Sequence, residues 1–139
     1  MPVPEMNDIA DVVRRHYPEV QAAYLFGTFG TADQWPESDV DIALLLPIAQ
    51  AKKAGSLAMG DCQGELGVLL GRDVDLINLR RADTVFQNEI LTTARELLVF
   101  DRNSADEFSL LVMSLYQKLT AERAEIVREI ERTGRVYNI

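Results

Sequence analysis

The sequence predicts an α/β (α+β) fold: a small mixed β-sheet of three to four strands flanked by helices, then a long C-terminal helix. Three short apolar runs bounded by turn-forming or acidic residues predict strands at 20–26, 39–46 and 73–79. Stretches of helical periodicity separate them, which gives the order α-β-α-β-α-β-α-(β)-α. We expect a single domain over 1–139, with a core at about 6–103.

The first half of the chain contains the clearest helix and two of the strands. The segment MNDIADVVRRH, residues 6–16, predicts a helix because its apolar residues recur on one face. The strand at 20–26 follows. A short helix is expected over 27–34, and Pro47 ends the second strand because proline cannot donate a backbone hydrogen bond.

In the second half, residues 49–70 read as one mostly helical stretch, although each glycine in it weakens a helix by about 1 kcal/mol relative to alanine. Asp83 is placed to cap a helix that runs to about Arg95, and 97–100 predicts a short fourth strand. The final helix is expected from Ser104 to about Thr133. The first half of its apolar stripe is expected to cover the core. That stripe contains Phe108, Leu111, Val112, Leu115, Leu119, Ile126 and Ile130.

Composition narrows the possible functions. The net charge of −8 argues against a broad basic face for duplex nucleic acid. No apolar run reaches the roughly 18 residues of a membrane span, and no basic segment precedes an apolar block as in a signal peptide. The single cysteine, Cys62, excludes an internal disulfide and fits a reducing compartment. We therefore expect a cytoplasmic protein that binds neither a membrane nor duplex nucleic acid directly.

Acidic residues begin the second and third strands. Asp39 and Asp41 are separated by one residue, so on a strand their side chains share a face, about 7 Å apart. If the third strand lies alongside, Asp75 or Asp73 can join them. Like charges so close destabilise the fold unless a cation compensates, and Mg²⁺ prefers hard oxygen ligands that it shares with phosphates. The pattern predicts a magnesium site with two ions, which would act on an attacking and a leaving oxygen.

Gly27-Thr28 ends the first apolar run ten residues before the aspartates. Glycine lets the backbone approach a ligand closely, and free N–H groups at a helix start bind anions. The residues fit neither G-x-x-x-x-G-K-[ST] nor G-x-G-x-x-G, so the P-loop and dinucleotide-binding interpretations fail. Together with the carboxylates, this turn predicts a metal–nucleotide site.

Gly27-Thr28, ten residues, and Asp39-Val40-Asp41 resemble the G-S-x10-D-x-D signature of the DNA polymerase beta-like nucleotidyltransferase superfamily. Ser38 before the first aspartate also matches, and Val74-Asp75-Leu76-Ile77 resembles the family's third-carboxylate strand. The short chain is similar to the minimal nucleotidyltransferases (MNT), the antitoxins of HEPN–MNT toxin–antitoxin pairs. The resemblance covers roughly residues 10–100.

The resemblance implies a role for each matching residue. Asp39 and Asp41 would bind two magnesium ions that hold the triphosphate of ATP, and Asp75 would complete one metal site and help to activate the acceptor hydroxyl. Gly27, Thr28 and Ser38 would belong to the nucleotide-binding part. Attack on the α-phosphate would release pyrophosphate and leave AMP on the acceptor. In the antitoxin branch the acceptor is a tyrosine of the HEPN toxin, an RNase, which can receive more than one AMP, and a hetero-oligomer with the toxin is expected.

Two departures from the family pattern leave alternatives open. Thr28 stands where the family has serine, and Gly30-Thr31-Ala32 replaces the usual A-R-G, so a basic residue is missing. A second hypothesis is an antitoxin that works by stoichiometric binding, since an acidic surface can cover a basic RNase face. A third is a nucleotidyltransferase that acts on a small-molecule hydroxyl.

The remaining notable residues have ordinary structural interpretations. We expect a surface or packing role for each, while Trp35 and the arginines lie where a nucleotide or an acceptor would come close. These residues are His16, Trp35, Cys62, Arg72, Asp73, Arg80 and Arg81.

Overall fold

The computed structural model describes residues 6–27 and 39–134. It confirms the predicted fold class: a four-stranded mixed sheet with helices on both faces and a long C-terminal helix. Within the described residues, no helix is both long and apolar enough to cross a membrane. The elements are α1 (Met6–His16), β1 (Ala22–Phe26), β2 (Val40–Leu45), α2 (Ile48–Ala54), α3 (Asp61–Leu70), β3 (Val74–Asn78), a 3-10 turn (Leu79–Arg81), α4 (Thr84–Thr93), β4 (Arg95–Val99) and α5 (Arg102–Thr133).

The sheet has the strand order β3-β2-β1-β4. β1 pairs antiparallel with both β2 and β4, whereas β2 and β3 are parallel. In this register Asp41 on β2 lies opposite Phe26 on one side and Asp75 on the other. The acidic starts of β2 and β3 therefore lie at one end of the sheet, next to the end of β1.

Alternation along the strands divides the core into two apolar layers. Ile42 and Leu44 of β2 are fully buried in the layer shared with α1, α2 and α3. Ala43 and Leu45 are fully buried in the layer shared with α4 and α5. Because side chains at i and i+2 share a face, Asp41 lies on the α4–α5 face.

The helix expected over 49–70 is interrupted. α2 ends at Ala54, Gly55 has a φ of 63°, and α3 begins only at Asp61. The last carbonyl groups of a helix need donors, and here a strand supplies them. The Nδ2 group of Asn78 donates to the carbonyl of Ala51 at 2.9 Å and to that of Gly55 at 2.8 Å. Gly55 caps α2 locally, since its N–H also donates to the carbonyl of Ala51, and the Asn78 contact across 23 or more residues completes this end of the helix.

Two boundaries near the C-terminus also differ from the prediction. α4 ends at Thr93, because Arg95 already pairs with β1 as the first residue of β4. α5 begins at Arg102 rather than Ser104. Asp101 is its cap, with a carboxylate oxygen that accepts the Ser104 N–H at 3.1 Å.

The apolar stripe of α5 is only partly buried. Ala105, Phe108 and Val112 are buried, but Leu111 is 53% exposed and Leu115 41% exposed. Only about the first three turns of α5 therefore cover the sheet. The expectation that the first half of the whole stripe covers the core was wrong for Leu111, Leu115 and Leu119.

Arg80 is a structural residue rather than an ordinary surface charge. Its Nε group donates to the carbonyl of Leu46, and one Nη group donates to Gln21 Oε1 at 2.8 Å. The guanidinium lies over the ring of Phe108, 5.1 Å from its centroid. Arg80 thus connects the end of β2 to α5.

His16 and Cys62 have packing roles, as expected. His16 Nε2 and Arg15 contact the two carboxylate oxygens of Glu65 at 2.9 and 2.7 Å, which joins α1 to α3 and lowers the pKa of Glu65. Cys62 is buried in α3, and burial raises its pKa to about 11. Its thiol is therefore neutral at physiological pH and is a poor nucleophile.

The Asn78 contact gives a test of the fold. We expect Asn78→Asp to lower the free energy of unfolding by about 2 kcal/mol, because the carboxylate cannot donate to the buried carbonyls at the end of α2. Urea unfolding measures this difference. Asn103→Asp, on the exposed first turn of α5, should change stability by less than about 0.5 kcal/mol. Equal stability of the two variants would contradict the role of Asn78.

Candidate active site

The centre of the candidate site is a pair of carboxylates on adjacent strands. Asp41 and Asp75 occupy aligned positions of β2 and β3, strands that lie about 4.8 Å apart. Asp41 is half-buried and Asp75 is exposed. Burial raises the pKa of Asp41, and the charge of Asp75, a side-chain hydrogen bond with Asp75 and the charge of Asp39 raise it further. Two acidic groups in contact form a position that attracts a cation.

Gly27 lies directly against this pair. Its φ is 81°, in the left-handed region that favours glycine. A Cβ atom at this position would overlap Oδ2 of Asp41 and would lie 3.3 Å from Cγ. Glycine is therefore required for two independent reasons, backbone conformation and space. The close approach fixes the turn after β1 beside the Asp41 carboxylate.

An aromatic contact holds the end of β1 in position. The rings of Phe26 and Phe86 meet edge to face, with centroids 5.9 Å apart and an interplanar angle of 83°. Phe86 lies in the first turn of α4, where its N–H donates to the capping carboxylate of Asp83 at 2.8 Å. The predicted cap is thus present. It fixes α4 over the residue that precedes Gly27.

The structure places some of the other predicted site residues near this pair and does not describe the rest. Asp39 is exposed just before β2, close enough for its charge to affect Asp41. Asp73 is exposed at the start of β3, as expected for a solvated residue. Thr28, Ser38 and Trp35 lie outside the described residues, so their roles remain predictions.

The carboxylates do not form a closed metal cage. Within residues 6–27 and 39–134, no group of three or more Asp, Glu, His or Cys side chains is arranged to hold a metal ion. Magnesium is usually bound by one or two carboxylates together with substrate phosphates and water. The contact between Asp41 and Asp75 fits that mode, in which the nucleotide supplies further oxygen ligands.

Sequence reasoning missed one residue that supports the site. Gln63 on α3 accepts the backbone N–H of Leu76 through Oε1, at 3.0 Å. β3 is an edge strand, so its outward N–H groups have no neighbouring strand to bond. Gln63 thereby attaches β3, and with it Asp75, to α3. No local signal in the sequence distinguishes this glutamine from a surface residue.

The fold and the carboxylate pair define a nucleotidyltransferase domain. Residues 7–105 match the family model described as polymerase beta, nucleotidyltransferase, and the chain belongs to this family. That span contains β1 to β4 and every predicted site residue.

Within the nucleotidyltransferase family, the chain is similar to a protein adenylyltransferase and to toxin–antitoxin structures. The chain is 34% identical over 125 residues to the protein adenylyltransferase MntA of Shewanella oneidensis. This alignment covers 89% of this chain and 86% of that protein. It is similar to a crystal structure of a toxin–antitoxin with AMP-PNP, with a TM-score of 0.71, 31% identity and coverage of 92% and 99%. It is also similar to a chain from the structure of a tri-AMPylated Shewanella oneidensis HEPN toxin in complex with its MNT antitoxin. That TM-score is 0.65, with 30% identity and coverage of 91% and 95%.

Gly27→Ala tests the contact with Asp41. We expect it to lower nucleotidyl transfer about a hundredfold, because the new methyl group displaces the carboxylate. The strained φ should cost about 1 to 2 kcal/mol of stability. Initial rates and urea unfolding measure the two effects.

Gly134→Ala is the matched control, because Gly134 has a φ of 66° and open space around its Cβ position. It should cost about 1 kcal/mol of stability or less and leave the rate unchanged. If both variants kept the wild-type rate, the Gly27–Asp41 contact would have no part in the reaction.

Proposed function

We propose that this chain is an antitoxin that transfers AMP from ATP to a tyrosine hydroxyl of a cognate HEPN RNase toxin and thereby neutralises it. One or more AMP units are added. The observation that carries the proposal is the pairing of Asp41 with Asp75 on parallel strands, with Asp41 directly beside the Gly27 turn. The similarity to a protein adenylyltransferase over 89% of the chain supports the assignment to a protein acceptor.

The turn after β1 binds the nucleotide. Gly27 and Thr28 contact phosphate oxygens, and Ser38 contributes from the segment before Asp39. At Gly27, the lack of a side chain lets the Asp41 carboxylate lie against the backbone of this turn, so the phosphate-binding turn and a metal-binding carboxylate adjoin each other. The negative triphosphate and the carboxylates repel each other, so the nucleotide binds only with divalent cations between them.

Asp39, Asp41 and Asp75 would hold magnesium, in a two-ion site. When bound, the ions neutralise the phosphate charge, favour ionisation of the attacking oxygen and stabilise the leaving oxygen. The donor set fits this assignment, since it consists of carboxylate oxygens that adjoin a phosphate-binding turn. The half-buried position of Asp41 means that its charge is poorly solvated without a cation.

The reaction is an in-line displacement at the α-phosphorus of ATP. A bond forms between the acceptor oxygen and the α-phosphorus, while the bond to the bridging oxygen breaks and pyrophosphate leaves. The hydroxyl proton passes to a carboxylate oxygen of Asp75 and then to water. The chain thus orients the reactants and accepts a proton.

The acidic balance of the chain agrees with a protein partner. A net charge of −8 favours a basic partner and disfavours direct contact with duplex nucleic acid. The complex is a hetero-oligomer of antitoxin and toxin in the cytoplasm, where the unpaired, buried Cys62 is suited to a reducing environment. The same charge favours one alternative, an antitoxin that neutralises by binding alone.

Intact-mass spectrometry separates the hypotheses. A HEPN-family toxin is incubated with this chain, ATP and magnesium. We expect the partner's mass to rise by one or more AMP units. The double substitution Asp39→Asn and Asp41→Asn should slow this transfer about a thousandfold or more, because the cation-binding oxygens are lost.

The matched control is Asp11→Asn with Asp106→Asn, two exposed helix residues, which should transfer at the wild-type rate. An unmodified partner in a stable complex, neutralised equally by the double variant, would contradict the enzymatic mechanism in favour of binding alone. Transfer to a small-molecule hydroxyl with none to protein would assign a different acceptor.

A further inference from the structure

A cleft of about 1120 Å³ opens beside the carboxylates, between the outer edge of β3 and helix α3. Asp39 and Asp75 form its inner end, and the turn from Gly71 to Asp73 forms part of its floor. We propose that this cleft binds the extended segment of the partner protein that carries the acceptor hydroxyl. The inference rests on the proposed function, and it assigns the acceptor's position within the same site.

The order of elements across the sheet places the acceptor here. Across the sheet, the order is Gly27 at the end of β1, then Asp41 on β2, then Asp75 on β3, and then the cleft. In an in-line displacement the attacking and leaving oxygens lie on opposite sides of the phosphorus. With the leaving pyrophosphate at the Gly27 turn, the attacking hydroxyl arrives from the side of β3. The cleft is the space on that side.

The α3 wall of the cleft admits a polypeptide backbone. Gly64 faces the cleft, and a Cβ atom built on it meets no heavy atom within 4 Å. Two apolar side chains at the same cleft are unusually exposed, Met59 at 94% and Val68 at 85%. Val68 lies one turn after Gly64 on α3. Room for a backbone beside exposed apolar side chains fits an extended segment with an apolar residue near the acceptor.

Residues of both charges line the cleft near the reaction centre, namely Asp39, Arg72, Asp73 and Asp75. Because Asp39 and Asp75 are assigned to magnesium in the proposed function, they add no net negative charge that would select a basic segment. The exposed apolar side chains therefore specify the ligand class: an extended polypeptide segment with an apolar residue that contacts Val68.

Obstruction of the cleft tests the proposal. Gly64→Phe and Val68→Trp add bulk where the structure is open, and phenylalanine is a better helix former than glycine. Ile48→Trp is the matched control, since Ile48 is 73% exposed at the start of α2, at the other end of β2 from the carboxylates. Rates of AMP transfer are measured against the concentration of the HEPN-type partner, and calorimetry gives the Kd of magnesium AMP-PNP without the partner.

We expect KM for the partner to rise about tenfold in Gly64→Phe and Val68→Trp, with the Kd of AMP-PNP within about twofold of wild type. Ile48→Trp should change neither. A tenfold lower affinity for AMP-PNP with an unchanged KM for the partner would overturn the proposal, because the cleft would then hold the nucleotide. Unchanged values of both constants in all variants would also overturn it.

The outcome remains distinguishable if the proposed function itself fails. If the wild-type chain transfers no AMP, the Kd of the unmodified partner is compared between the variants. A tenfold weaker Kd in both cleft variants, but not in Ile48→Trp, would retain the cleft as a binding site for the partner. Equal partner affinities would exclude it.

Discussion

The central constraint in this molecule is the parallel pairing of β2 with β3. It places Asp41 opposite Asp75, and the charge of Asp75 raises the pKa of the half-buried Asp41 carboxyl further. The fully buried residues that follow Asp41 on β2 supply the apolar contacts that offset this repulsion. The proposed cation site thus lies at the end of a strand whose other residues are buried. The repulsion between the carboxylates lowers stability only at this end of the sheet, while the buried strand holds the site in a fixed position for the reactants.

Long-range contacts fix the elements around this pair. Gln63 attaches the edge strand β3 to α3, and Asn78 ends α2 from the far end of the same strand. On the other side of the sheet, Phe26 packs against Phe86, while Gly27 fits against Asp41. The site is therefore supported from both layers of the core. Its two halves, the turn after β1 and the carboxylates of β2 and β3, do not depend on a single contact.

The spacing of apolar residues predicted the strands well, because period-2 and period-3.6 patterns are local properties of the chain. Gly27, Asp39, Asp41 and Asp75 were predicted from a glycine after one strand and acidic starts on two others, together with the resemblance to the G-S-x10-D-x-D signature. The structure places Asp41 opposite Asp75 and Gly27 against Asp41. The structural features that were predicted wrongly depend on contacts with residues distant in sequence. The end of α2 is completed by Asn78, the half-buried Arg80 packs over Phe108, and the exposure of Leu115 reflects how far α5 extends past the sheet.

The most direct test of the account is whether nucleotide binding requires a divalent cation at the carboxylate pair. Calorimetry of AMP-PNP binding to this chain, with magnesium and with EDTA, measures it. The account predicts an affinity at least about tenfold higher with magnesium, and no such gain in Asp41→Asn, because Asp41 would help to hold the cation that offsets the charge of the phosphates. Equal affinity under both conditions, or an undiminished magnesium effect in Asp41→Asn, would contradict it.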